Sequence, residues 1–164
     1  LKTADLAAAT TLQQQVYRPL YHEVCEVLAS RVAVAPTCCW GAFREGELAA
    51  YILSHPWPAG EPPAIGVSLA APSQGDNWFV HDLAISPQAR GLGLGRALVA
   101  AAARAARDLG LTRGDLIAVQ DAAPYWEKLG YVAPEALSEG LAAKVAAYGP
   151  DARYLTAMLA DLKA

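Results

Sequence analysis

Residues 78 to 110 constrain this chain more than any other stretch. Trp78-Phe79-Val80-His81-Asp82-Leu83-Ala84-Ile85 reads as a strand, Ser86-Pro87-Gln88-Ala89 breaks it, and Arg90-Gly91-Leu92-Gly93-Leu94-Gly95-Arg96 comes next as a glycine-rich turn. Ala97 to Gly110 then reads as a helix of strong formers closed by a glycine. The three parts in succession make an anion site. The first turn of a helix offers unpaired N–H groups and partial positive charge, and glycines let a phosphate reach that backbone. A turn that merely joins strand to helix explains the glycines poorly, since each weakens a helix start by roughly 1 kcal/mol relative to alanine. Two familiar phosphate loops are excluded. Arg96 stands where a dinucleotide fingerprint needs a third glycine, and no Gly-Lys-Ser/Thr closes the turn as a P-loop would.

At 164 residues the chain fits one compact domain spanning 1–164. A hydrophobic content of 54% supplies a core, and a net charge of −3 argues against a nucleic-acid partner. No apolar run approaches the roughly 20 residues needed to cross a bilayer, and no basic, apolar leader is read. Cys25, Cys38 and Cys39 are odd in number and show no zinc-ligand spacing with His22, His55 and His81. No metal is expected, and free thiols point to a reducing, cytoplasmic setting.

Taken in order, Leu1-Lys2-Thr3-Ala4 opens a strand, with Asp5 capping the helix after it. Residues 6 to 17 and 20 to 33 carry apolar residues near helical spacing, separated by Pro19. Cys38 to Phe43 and Leu48 to Leu53 flank the polar turn Arg44-Glu45-Gly46-Glu47 as a hairpin. Four prolines between Ser54 and Pro63 predict a stiff surface loop. Ile65 to Leu69 reads as a third strand and residues 71 to 77 as a loop. After the central helix come a strand at 115–119, a short helix at 122–130 capped by Asp121, and a strand resuming at Tyr131-Val132. A helix at 135–148 and a last strand at 154–159 complete the chain. Alternation along the central strand puts Phe79, His81, Leu83 and Ile85 on one face and Trp78, Val80, Asp82 and Ala84 on the other, unless a bulge intervenes.

Arg90-x-x-Gly93-x-Gly95 after the Leu83-Ala84-Ile85 strand end resembles the acyl-CoA motif of the GNAT superfamily of N-acetyltransferases. Ala122-x-x-Tyr125-Trp126-Glu127-Lys128-Leu129-Gly130-Tyr131 is similar to the family's Ala-x-x-Leu-Tyr-Glu-Lys-Leu-Gly-Phe segment. The resemblance implies an α/β (α+β) fold, a mixed and mostly antiparallel central sheet flanked by helices. It implies direct transfer of acetyl from acetyl-CoA to a primary amine of a small molecule or protein. The partners are then the coenzyme and an amine acceptor, with a homodimer as a common assembly of such folds. The alternative reading is a non-catalytic acyl-CoA-binding sensor or scaffold.

By the same resemblance, the pyrophosphate sits on the backbone of Gly91, Leu92, Gly93, Leu94, Gly95 and Arg96, with Arg90 and Arg96 adding charge. The backbone of Leu83, Ala84 and Ile85 holds the pantetheine arm and polarises the thioester carbonyl, in a gap that a bulge opens. Trp126 packs against the coenzyme. An alkylamine of pKa about 10.4 needs about 4.6 kcal/mol to lose its proton at pH 7, so a base is useful. His81 stands where arylalkylamine acetyltransferases carry a proton-accepting histidine, and an imidazole titrates near neutrality. Its alternative is a hydrogen-bonded structural histidine. Asp82 is the second candidate base, or else a paired buried carboxylate. Trp126 replaces the tyrosine that often protonates the departing thiolate. Tyr125 is adjacent, but one residue turns a helix by about 100°, so it serves as the acid only if the local backbone differs.

Overall fold

The computed structural model describes residues 1–70 and 75–164. Five strands form one sheet in the order β1 (Trp40–Arg44), β2 (Glu47–Trp57), β3 (Asn77–Ile85), β4 (Arg113–Ala118), β5 (Arg153–Met158). Every neighbouring pair is antiparallel except β3 and β4. Helices α1 (Leu6–Val16), α2 (Cys25–Val34) and α5 (Glu139–Ala146) cover one face. Helix α3 (Leu94–Asp108) covers the other, beside the short α4 (Ala123–Lys128). The mixed, mostly antiparallel sheet between helices is the expected architecture. No helix among the described residues is long and apolar enough to cross a membrane.

Strand alternation explains the layering. Leu116 and Ala118 of β4 pack with Leu98, Val99, Ala102 and Ala106 of α3, while Ile117 between them packs toward Leu141 and Val145 of α5. On β2, Ala50 and Ile52 join the α3 layer, whereas Tyr51 and Leu53 meet Leu6, Ala9, Leu12 and Leu28. Small residues on α3 let that helix lie close to the sheet.

The hairpin turns on Glu45 and Gly46, at φ 53° and 86°, between Arg44 and Glu47. Other expectations shift. Leu1 to Ala4 form no strand; Thr3–Asp5 is a 3₁₀ turn in which the Asp5 carboxylate accepts the Lys2 N–H at 2.7 Å. The second helix starts only at Cys25, because Pro19–Tyr21 is a 3₁₀ turn and the Glu23 N–H is bonded to Gln13 Oε1 at 2.7 Å. Cys38 lies in a 3₁₀ turn and Cys39 precedes β1. The central helix begins at Leu94, three residues early, and the helix at 135–148 narrows to Glu139–Ala146 behind its Ser138 cap. Ala122, not Asp121, caps α4.

Two corrections bear on the site. The proline-rich stretch is strand as far as Trp57, with Pro56 opposite Trp78. β1 ends opposite Ile52, so the missing N–H of Pro56 interrupts no β1–β2 ladder bond. Ile65 to Leu69 is no strand. Gly66 turns at φ 77°, and α2 and the residues before it hold the main chain: Glu23 Oε1 accepts the Gly66 N–H at 2.7 Å, and Ser30 Oγ accepts the Leu69 N–H at 3.0 Å. Arg31 donates to the Val67 carbonyl. In the loop expected at 71–77, residues 71–74 lie outside the described residues, and Asn77 begins β3.

Continuation of β2 buries His55 completely, with Nε2 lacking a partner among the described residues. Burial, aided by His81, pulls its pKa from 6.5 down to about 3. The unfolded chain therefore binds a proton below about pH 6.5 that the folded protein refuses, and stability falls as pH drops from there toward 3. Urea unfolding at pH 7 and pH 4.5 should show the wild type losing about 2.6 kcal/mol more than His55→Gln over that interval. Equal losses in both proteins would show that the imidazole is not held neutral.

Candidate active site

β3 and β4 pair at only three positions, Trp78 with Gly114, Phe79 with Asp115 and Val80 with Leu116. Both strands then continue without each other, β3 along β2 and β4 along β5. A cleft of about 400 Å³ lies where they part, walled by Leu83 and Ile85 on one side and Ile117, Ala118 and Val119 on the other.

The main chain of β3 sets what the cleft can hold. The Ser86 N–H donates to the Ala49 carbonyl at 2.8 Å. In an antiparallel ladder alternate residues face the partner, so Ala84 and Asp82 turn their polar groups toward β2. Leu83 and Ile85 turn theirs away, into the cleft. The Tyr17 hydroxyl donates to the Leu83 carbonyl at 2.8 Å, leaving the Leu83 and Ile85 N–H groups as the donors directed there. The three-residue expectation is thus corrected at Ala84. It is fully buried, and its backbone is engaged with β2.

A bulge brings the two candidate bases together. Leu53 pairs with Asp82 and Ser54 with Val80, which leaves His81 as the extra residue. Without it, His81 and Asp82 would point to opposite faces. With it, both meet the α1–α2 side, and Leu83 and Ile85 join Trp78 and Val80 toward α3. The faces expected from simple alternation are corrected accordingly.

His81 Nε2 lies 2.7 Å from Glu23 Oε2, both side chains being about 5% exposed or less. Burial raises the Glu23 carboxyl. The hydrogen bond and charge of His81, the Gly66 N–H and Arg31 outweigh that and hold it below the usual glutamate range. Arg31 Nη2 is 3.9 Å from Glu23 and wholly buried. Asp82 accepts from Tyr51 at 2.5 Å and from Gln13 at 3.1 Å. Burial raises its pKa, and those hydrogen bonds and His81 only partly oppose the rise. Its partners are neutral donors, and burial disfavours its charged form. Glu23 escapes a reading of the sequence alone. Its local signal is one carboxylate between His22 and Val24, and nothing there points to a strand 58 residues away.

At the other end, Arg90 and Gly91 line the cleft. Gly93 caps α3 at φ 75°, and the first helical bond runs from the Ala97 N–H to the Gly93 carbonyl at 3.1 Å. The N–H groups of Leu94, Gly95 and Arg96 precede it and form the unpaired start of the helix. Leu92, Arg90 and Arg96 are exposed, and neither arginine has an ion-pair partner among the described residues. Gly95 differs from Gly91 and Gly93. A Cβ there would lie 2.5 Å from the Tyr125 hydroxyl and 2.7 Å from Ile85 Cδ1, so this glycine serves side-chain packing.

Tyr125 reaches the cleft wall, its hydroxyl buried and without a protein partner among the described residues. Burial raises its pKa, which keeps the phenol protonated at neutral pH. Trp126 lines the same cleft but is only 6% exposed and stacks edge-on against Tyr131 at 5.4 Å. It belongs chiefly to the core.

Residues 6–131 match the family model described as the acetyltransferase (GNAT) family. The chain belongs to that family. Solved structures share the fold at low identity. The GphF GNAT-like decarboxylase in complex with isobutyryl-CoA aligns at 15% identity over 97% of both chains, with a TM-score of 0.73. The ribosomal-protein-S18-alanine N-acetyltransferase from Escherichia coli aligns at 19% identity over 97% of this chain and 90% of that one, with a TM-score of 0.66. A polyamine N-acetyltransferase from Drosophila melanogaster aligns at 18% identity over 96% and 97%, also at 0.66. No curated protein matches the chain.

Gly95→Ala should destabilise the protein by about 1 kcal/mol net, because moving both Tyr125 and Ile85 outweighs the roughly 1 kcal/mol that alanine gains in the helix. Pairing it with Tyr125→Phe should recover part of that loss in urea unfolding. An alanine variant more stable than the wild type by about 1 kcal/mol, the helix gain alone, would contradict the close packing.

Proposed function

We propose that the protein is an acetyl-CoA-dependent N-acetyltransferase that moves acetyl directly to a primary amine. The observation that carries this reading is the parting of β3 from β4 with main-chain donors left facing the gap. An extended amide-bearing arm such as pantetheine fits that gap as a partial strand, hydrogen-bonded to Leu83 and Ile85. Family membership and neighbours whose structures hold CoA or an acyl-CoA support a coenzyme of this type.

The residues then take distinct roles. The N–H groups at the start of α3, with Arg90 nearby, receive the pyrophosphate. A β3 N–H directed into the cleft polarises the thioester carbonyl. The acceptor enters from the Glu23–His81 side and surrenders its ammonium proton to that pair, directly or through water. Its nitrogen lone pair attacks the carbonyl carbon, a C–N bond forms, and the C–S bond breaks with its electron pair leaving on sulfur. The second nitrogen proton passes to water, the Tyr125 phenol protonates the thiolate, and the phenolate recovers a proton from water, leaving amide and free thiol. No covalent enzyme intermediate is required.

Release of free thiol from acetyl-CoA across an amine panel tests the reading. His81→Ala should lower kcat/KM by about 10²–10⁴ while CoA affinity stays within about threefold. Tyr125→Phe should lower kcat by about tenfold with KM unchanged. Tight CoA binding without thiol release for any amine would overturn the enzymatic reading. An active His81→Ala would remove the histidine from it.

A further inference from the structure

Glu23 lies between the Pro19–Tyr21 turn and α2, outside any helix or strand, yet it is held at three points. Its main-chain N–H donates to Gln13 Oε1 at 2.7 Å. Its two carboxylate oxygens have separate partners: Oε1 accepts the Gly66 N–H at 2.7 Å, and Oε2 meets His81 Nε2 at 2.7 Å. Arg31 Nη2 stands 3.9 Å from Oε1 as well. The Glu23 and His81 side chains are each about 5% exposed or less, so water competes little for these bonds.

That arrangement decides where the hydrogens of His81 sit. Against burial, the His81 hydrogen bond, the Gly66 N–H and Arg31 hold the Glu23 carboxyl low, so Oε2 accepts and has no proton to give. His81 Nε2 therefore carries the hydrogen of that bond, and in the neutral imidazole Nδ1 keeps a bare lone pair. Nδ1 is buried and has no partner among the described residues, on a side chain that lines the cleft. The other two histidines are committed by carbonyls: His22 Nε2 lies 2.8 Å from the Tyr17 oxygen and His55 Nδ1 3.1 Å from that of Pro56. His81 is the one committed by a carboxylate.

We propose that Glu23 is a positioning residue that commits His81 to the tautomer with hydrogen on Nε2, leaving the Nδ1 lone pair to take the acceptor's proton. The proposal rests on the transferase reading and deepens it. An N–H bond of the ammonium breaks and an Nδ1–H bond forms, directly or through one water. The resulting imidazolium faces the Glu23 carboxylate, and its proton passes on to water before the next turnover. Glu23→Gln reverses the tautomer. A glutamine has one oxygen and one NH2 group. The Gly66 N–H needs the oxygen, so the NH2 faces His81 Nε2 as a donor and the ring hydrogen moves to Nδ1. An acid-to-amide exchange behind the histidine of a serine-protease triad costs about 10⁴ in kcat through the wrong tautomer.

Ring-nitrogen chemical shifts of protein labelled with 15N-histidine read the tautomer directly, with His22 and His55 as references and His81→Ala assigning the third ring. The neutral His81 ring should be protonated on Nε2 in the wild type and on Nδ1 in Glu23→Gln. With acetyl-CoA and an accepted amine, Glu23→Gln should lower kcat/KM by about 10²–10⁴ while CoA affinity stays within about threefold. In the His81→Ala background the same exchange should cost less than about threefold, because Glu23 acts through the ring. A wild-type ring protonated on Nδ1 would overturn the proposal, and that spectrum decides even if Glu23→Gln does not fold. A Glu23→Gln enzyme as active as the wild type would overturn it too. So would a full loss from Glu23→Gln in the His81→Ala background, which would make Glu23 itself the base. Each of these results in an active enzyme removes this inference alone, whereas no thiol release with any amine would remove the transferase reading and the proton-accepting role with it.

Discussion

A parallel ladder that stops after three residue pairs opens the cleft and decides what its walls offer. Backbone N–H and C=O groups away from water need partners, and two strands that part leave some of theirs without any. Here β2 and β5 satisfy the outer edges of β3 and β4, so the unmet groups are confined to one cleft. The bulge at His81 belongs to the same event. It ends regular alternation on β3 where the ladder with β4 ends, and it puts two ionisable side chains on one face.

The side of the cleft facing α1 and α2 is held by side chains more than by regular structure. Glu23 is the junction: one oxygen meets His81, the other the Gly66 N–H, and Arg31 lies behind it. Ser30 and Arg31 tie down Leu69 and Val67, and Tyr148 of the segment after α5 ties down Pro63. A buried ion pair of this kind contributes little net stability, because desolvation offsets most of the attraction. It fixes geometry instead, setting the His81 ring and the wall that Ile65 joins.

Whether a feature is legible in the sequence depends on how local its causes are. The β3–turn–α3 unit is visible because its signals are local: an apolar run, positive-φ glycines and alanine-rich helix formers. The hairpin around Glu45-Gly46 is visible for the same reason. The strand through Pro56 is not, since a proline is excluded or tolerated according to whether its edge is paired, which only the end of β1 decides. Ile65 to Leu69 has the composition of a strand, but Gly66 is turned and α2 side chains already occupy its hydrogen-bonding groups. Within the site, His81, Asp82 and Tyr125 stand out in the sequence and all three line the cleft. The withdrawal of Ala84 depends on ladder parity and the role of Gly95 on a tyrosine 30 positions away, neither of which is written locally. Glu23 is invisible for the same reason.

Main-chain donors of Leu83 and Ile85, with those that open α3, are proposed to face a bound coenzyme arm, while Ala84 faces β2. Residue-resolved amide hydrogen exchange with and without coenzyme A tests it most directly. Binding should slow exchange at Leu83, Ile85 and the amides from Leu94 to Arg96, and leave Ala84 as protected as before. Saturating coenzyme A with no change at Leu83 and Ile85, or with the change at Ala84 instead, would contradict it.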